Sequence, residues 1–188
     1  MKLFLNYLNN ITPLSDSAQV AITQKLKKAQ YNKHHILIAE LSKCESLFFI
    51  EKGLARAYYF KVGKEITDWF ALENSIIGPV IRHFPTKTGM HSVELLEDTT
   101  VISINFYDLQ ELYNEYHEIE RLGRLIAIQT ILSLQQKIDS MQFLTARQRY
   151  RDFVKTYSTL LQRASLGHIA SYLGMNQVTL SRVRKNTD

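Results

Sequence analysis

The sequence predicts an α+β chain: a β sandwich or jelly roll, then one long helix, then a small helical module that ends in a helix-turn-helix. Three observations carry this. The hydrophobic period switches from helical to strand-like after Lys28 and back again at Phe106. Residues 118–141 form the longest helical stretch, with Gly123 its sole glycine and no proline. Residues 168–185 read HIASYLGMNQVTLSRVRK, two helical segments joined at Gly174.

Taken in order, residues 16–28 make a short amphipathic helix, with Val20, Ile22 and Leu26 apolar and lysines at the end where the helix dipole favours them. Segments 35–40, 46–60, 65–72 and 91–105 are rich in β-branched and aromatic residues. Lys52-Gly53, Val62-Gly63-Lys64 and Glu97-Asp98 punctuate them as turns. Short strands at this spacing fold as a sandwich or jelly roll. Tyr58, Tyr59, Phe60, Trp69 and Phe70 are expected as core or cross-strand pairs, because aromatics are favoured in strands. In the long helix, Ala127, Ile131, Leu134, Ile138 and Met141 recur at spacings of 4, 3, 4 and 3, the pattern of a coiled-coil seam. Leu122, Leu125, Ile128 and Leu132 make a second apolar stripe. One stripe is expected to pack on the strands while the other meets a partner; the alternative is a helix buried within its own monomer. Thr145 and Gln148 have capping-box spacing, so a new helix starts there.

The terminal segment follows from the needs of two helices that meet steeply across a short turn. They require a small residue where the backbones approach and one that tolerates positive φ at the turn, which Ala170 and Gly174 supply. Ser165 is placed to cap the first helix, whose apolar stripe is Ile169, Ala170 and Leu173; Met175 closes the space under the turn. Asn176 caps the second helix. At about 100° per residue, Leu180 and Val183 share one face while Val178, Ser181, Arg182 and Lys185 cluster on the opposite one. Charge follows the same geography. From Met141 onward, Arg147, Arg149, Arg151, Lys155, Arg163, Arg182, Arg184 and Lys185 stand against Asp152 and Asp188, eight minus two, or +6. The other 140 residues hold 15 basic and 16 acidic side chains, a net of −1. The chain's formal +5 therefore comes from the segment that bears the helix-turn-helix, as a phosphate-facing surface requires.

A chain of 188 residues, 45% of them hydrophobic, can bury a core of one or two domains. It has no run of about 18 apolar residues to span a bilayer, and the N-terminal apolar stretch is too short for a signal peptide, so the expectation is a cytoplasmic protein without a membrane partner. Cys44, the single cysteine, is expected as a plain core or surface thiol. His34 and His35 would point to opposite faces of a strand, and neither His83 nor His91 has a second histidine at ligand spacing, so no metal and no other cofactor is expected. An enzyme of the double-sheet cupin type would need a histidine and carboxylate cluster on facing strands. That cluster is missing, and no enzymatic activity is expected.

The order of these parts, together with LFFIEKGLARAYYF and GKEITDWFA in the strands, LTARQRY after the long helix and HIASYLGMNQVTLSRVRK at the end, resembles the Crp/Fnr family of bacterial transcription regulators over nearly the whole chain. The resemblance implies a cyclic-nucleotide-binding-like jelly roll as sensor (1–117), a helix that forms a parallel homodimer (118–142) and a DNA-binding module that reads a palindromic duplex (143–188). A contact with RNA polymerase is also implied, and a small-molecule effector that the residues do not name. The chain is brief after its last helix, so a wing is expected to be truncated or absent.

Two departures from the family pattern matter. Cyclic-nucleotide binders of this family use a Gly-Glu pair and, about ten residues on, an arginine, because a buried phosphate needs a charged, donor-rich partner. Here residues 73–93 offer Gly78-Pro79 and then Gly89-Met90, with Arg82, Lys87 and His91 nearby, so cyclic AMP is not expected as the effector. In the second helix, members frequently carry a glutamate ahead of the serine and arginine; this chain keeps Ser181 and Arg182 but has Val178. Valine accepts no hydrogen bond and can touch a thymine methyl, so the half-site is expected to differ at that base pair. Arg182 is expected at a base edge, Gln177 and Ser181 at bases or phosphates, and Asn176, Arg184 and Lys185 at phosphates. The seam of Ala127, Ile131, Leu134, Ile138 and Met141 is the expected dimer interface. The alternative is a cyclic-nucleotide-binding-like regulatory module that answers a small molecule or protein without touching DNA.

Overall fold

The computed structural model describes residues 1–78 and 91–185. Two helices, α1 (Lys2–Ile11) and α2 (Asp16–Lys25), precede eight strands: β1 (Lys27–Tyr31), β2 (Ile36–Ile38), β3 (Ser46–Lys52), β4 (Ala55–Lys61), β5 (Lys64–Ala71), β6 (Ile76–Ile77), β7 (Ser92–Leu95) and β8 (Thr99–Asn105). Six helices follow: α3 (Phe106–Glu115), α4 (His117–Phe143), α5 (Ala146–Thr156), α6 (Leu160–Arg163), α7 (Leu166–Tyr172) and α8 (Gln177–Lys185). The strands form two antiparallel sheets, ordered β1-β8-β3-β6 and β2-β7-β4-β5.

Three apolar layers explain why the strands read as nearly continuous apolar runs rather than as a clean alternation. Between the sheets lie Ile50, Ala55, Ala57, Ala71, Val93, Leu95 and Val101. The outer face of the β1-β8 sheet, through Phe49, Ile102 and Ile104, packs on α1 to α4. On the other side, Leu54 and Leu96 join Tyr150, Phe153, Leu160, Ile169, Leu173 and Leu180, so the C-terminal helices share a core with the strands. Sheets covered on both faces lose the polar alternation of a half-exposed sheet. The expected turns are in place. Gly53 lies at φ +117°, where a Cβ would come 2.3 Å from the Thr99 hydroxyl, and a two-residue turn at Val62-Gly63 joins β4 to β5 with φ of +50° and +71°.

Several expectations are corrected. The first helix of the sequence reading stops at Lys25, because Lys27–Tyr31 pairs antiparallel with β8; long-range ladder bonds outweigh the local helical pattern. Its inward face is Ala18 and Ile22, while Val20 is exposed. The N-terminal residues form α1, whose Phe4 and Leu8 are buried. The second stripe of the long helix packs only in its first half. Leu122 is buried and Leu125 half-buried, but Ile128 and Leu132 are exposed beside Ile131, Leu134 and Ile138, since this part of α4 reaches the strands through Lys137 and not through either stripe. Among the aromatics, Phe60 is exposed and meets Tyr58 edge-on, and Phe70 packs against Tyr172 of α7. Cys44 is half-buried, its thiol donates to the Ser46 carbonyl, and burial pushes its pKa up. No helix among the described residues is long and apolar enough to cross a membrane, and no cluster of metal-ligating side chains is found among them.

Candidate nucleic-acid interface

The helix-turn-helix is α7, a tight turn and α8. Ser165 Oγ accepts the His168 N–H at 3.1 Å and caps α7. The far end of α7 closes with a Schellman pair: Gly174 N–H donates to Ser171 O and Met175 N–H to Ala170 O, each at 3.0 Å. Gly174 sits at φ +65°, a backbone conformation that strains any residue with a Cβ, and the end of the Met141 side chain lies against it. Asn176 Oδ1 accepts the Thr179 N–H at 2.8 Å and starts α8.

With Leu180 only 1% exposed against Ile169, Ala170 and Leu173, the opposite side of α8 must face outward. Gln177, Val178, Ser181, Arg182 and Lys185 are all exposed there, Val178 by 59%. Arg184 lies half-buried on the flank, and Asn176 commits its carbonyl oxygen to the cap. His168, at the start of the quoted motif, faces inward. Its Nε2 lies 4.0 Å from Glu65, and burial, with Arg56 nearby, lowers the imidazole pKa.

Two of the eight basic residues counted toward a phosphate-facing surface turn inward instead. Arg163 on α6 donates to both oxygens of Glu73 at 2.7 and 3.0 Å and to both oxygens of Glu97 at 2.6 and 3.2 Å. Arg149 on α5 donates Nη1–H to Leu144 O at 2.7 Å and Nε–H to Leu173 O at 2.9 Å. Further ties run from the strands to the C-terminal helices: Thr67 N–H donates to Ser171 Oγ at 2.9 Å, and Lys137 pairs with Asp68 and lies 5.4 Å from the Tyr172 ring centroid. Buried Arg56 is held by Glu65 at 2.6 Å and Glu94 at 2.8 Å. None of these roles is marked in sequence, because each needs at least one partner tens of residues away.

The Arg163 clamp has a pH signature. Hydrogen bonds from Arg163, with that from the Gly53 N–H, hold the Glu73 carboxyl at about 2, below its ordinary 4.5. A depressed folded pKa contributes stability above the unfolded value that is lost as pH falls through the folded one. Wild type should therefore exceed Glu73→Gln in unfolding midpoint at pH 6, with the gap closing between about pH 4.5 and 2 in urea titrations. A gap that stays constant across that range would show that the charge of Glu73 does not hold the clamp.

Of the residues weighed for a cyclic nucleotide or a metal, Pro79, Arg82, His83, Lys87, Gly89 and Met90 lie outside the described residues. Gly78 packs on Leu47, and His91 Nε2 sits 3.2 Å from Asp68 Oδ2.

No protein-family model and no curated protein matches this sequence. Solved structures do. FixK2 from Bradyrhizobium japonicum superposes with a TM-score of 0.74 at 18% identity, over 86% of this chain and 83% of its own. A structure from Eubacterium rectale described as a transcriptional regulator of the Crp/Fnr family gives 0.73 at 15% identity, over 96% and 87%. The fold is that of the Crp/Fnr regulators. A CooA variant from Carboxydothermus hydrogenoformans repeats it, with a TM-score of 0.71 at 18% identity over 95% and 83%. At such identities the likeness is one of architecture, and it matches the α+β arrangement expected from the residues. The Crp/Fnr fold here includes the two sheets, the long α4 and the helical C-terminal part.

Proposed function

We propose that this chain is a sequence-specific DNA-binding transcription regulator of the Crp/Fnr type, which acts as a homodimer on a palindromic site. The observation that carries the reading is the outward face of α8, where Gln177, Val178, Ser181, Arg182 and Lys185 lie exposed and adjacent while Leu180 anchors the helix from behind. A convex helix with a short polar face and a basic end fits the major groove, with Arg182 donating to a guanine edge, Val178 against a thymine methyl and Lys185 at a phosphate. The exposed apolar part of α4 supports a parallel pairing of two chains that sets two such helices about 34 Å apart, one turn of duplex. The sensor domain answers an effector other than cyclic AMP.

Duplex binding measured as salt is varied tests this reading. Wild type should lose affinity steeply with salt, and no binding at low salt removes the proposal. Arg182→Ala should cost about 1–3 kcal/mol, roughly 5- to 150-fold, at the preferred site and relax the preference at one base pair. Unchanged specific and non-specific affinity in that variant would refute the assignment.

A further inference from the structure

The joint between α4 and the reading head is short and built from soft backbone. α4 ends at Phe143 and α5 begins at Ala146, so only Leu144 and Thr145 lie between them, both extended at φ −97°, ψ 142° and φ −67°, ψ 160°. Two residues of extended chain leave two helices free to swing unless something crosses the joint. Arg149 crosses it. From the first turns of α5 its Nη1 reaches the carbonyl of Leu144, the residue that caps the end of α4, and its Nε reaches the carbonyl of Leu173, the residue that caps the end of α7. These carbonyls belong to helix ends, where acceptors lack intrahelical partners and the dipole favours a cation. Met141, in the last turn of α4, meets the same turn from the other side, lying against Gly174. One guanidinium and one thioether thus triangulate α4, α5 and the turn that launches α8.

We infer that Arg149 is a positioning residue that fixes the angle of the recognition helix to α4, and so sets which half-site spacing a dimer accepts. The inference rests on the DNA-reading proposal above. It reassigns a residue that composition counts toward phosphate binding. The guanidinium can perform the task because its nitrogens point in fixed, separate directions; a lysine ammonium is a single point and cannot span both carbonyls with that geometry.

The test uses the full chain and its selected palindromic duplex, the same duplex with one or two base pairs added or removed between half-sites, and an isolated half-site. Arg149→Lys should remain dimeric and bind the isolated half-site with wild-type affinity and salt slope. Its preference for the natural spacing over the shifted ones should fall about tenfold, the loss expected for one charge-assisted hydrogen bond. Arg149→Gln, which keeps one donor arm but cannot reach both carbonyls, should relax spacing in the same direction, and it carries the test if Arg149→Lys does not fold. Unaltered spacing preference in both variants overturns the inference. Uniform weakening with a salt slope lower by about one unit also overturns it and makes Arg149 a phosphate contact. Equal loss at the half-site and the palindrome, with a lowered melting temperature, reduces it to a fold residue. If wild type itself binds no duplex, the failure lies with the regulator reading and takes this inference with it.

Discussion

Replacing Ile131 and Leu134 together by glutamate should leave the chain folded but monomeric in sedimentation, and should weaken its binding to a palindromic duplex about 10²- to 10⁴-fold, the range set by linking two binding modules. The single chain explains the first half of that result. Ile131 is 64% exposed and Leu134 52%, so neither contributes to the packing of its own subunit. Together with Ile128, Leu132, Ile138 and Met141 they form an exposed apolar surface on the second half of α4. Such a patch on one helix marks a contact surface. The seam spacing of 4 and 3 fits the pairing of two copies of α4. Carboxylates there would face each other across the dimer and be desolvated on association. Circular dichroism should show an unchanged helical content, since in the proposed dimer the lost contacts lie between the two chains. A double variant that stays dimeric would show that the seam is wrongly drawn.

The parts that could be read from residues alone are those specified by neighbours close in sequence. The Thr145–Gln148 capping box, the Ser165 and Asn176 caps, the Gly174 turn and the inward Leu180 all depend on contacts within a few residues, and all stand where the spacing puts them. The turn at Val62-Gly63 and the break at Gly53 are local for the same reason. What escaped sequence reading depends on distant partners. β1 exists because β8 offers it a ladder some seventy residues on, and nothing in Lys27–Tyr31 separates it from a fraying helix end. Arg163 looks like any surface arginine until Glu73 and Glu97 surround it, and Arg149 does so until two helix ends converge on it. In the candidate interface, therefore, the outward face of α8 could be read in advance, whereas the contacts that hold that face at its angle could not.

Leu180→Ala should destabilise the protein by about 2–5 kcal/mol, the range for removing a buried leucine side chain where the surroundings cannot fully collapse. The surroundings argue for the upper part of that range. Leu180 packs in one cluster with Tyr150, Phe153, Leu160, Ile169, Ala170 and Leu173 from the helical part and with Leu54 and Leu96 from the turns beside the strands. These neighbours are pinned on several sides by the Arg163 clamp and the Ser171 contact, so little can move in to fill the space. The shared cluster also predicts the shape of the melt. Calorimetry should show one transition, shifted downward, because the helical module cannot release Leu54 and Leu96 without exposing the edge of the roll. A loss below about 1 kcal/mol, or an early separate transition of the C-terminal helices with the roll unaffected, would show that the two parts are not one cooperative unit. Val178→Ala makes the internal comparison. It lies two residues away on the same helix and is 59% exposed, so its removal should leave the melt within about 0.5 kcal/mol of wild type. What should change under the proposed function is the preferred base pair, because Leu180 anchors the helix to its own chain while Val178 lies on its exposed face.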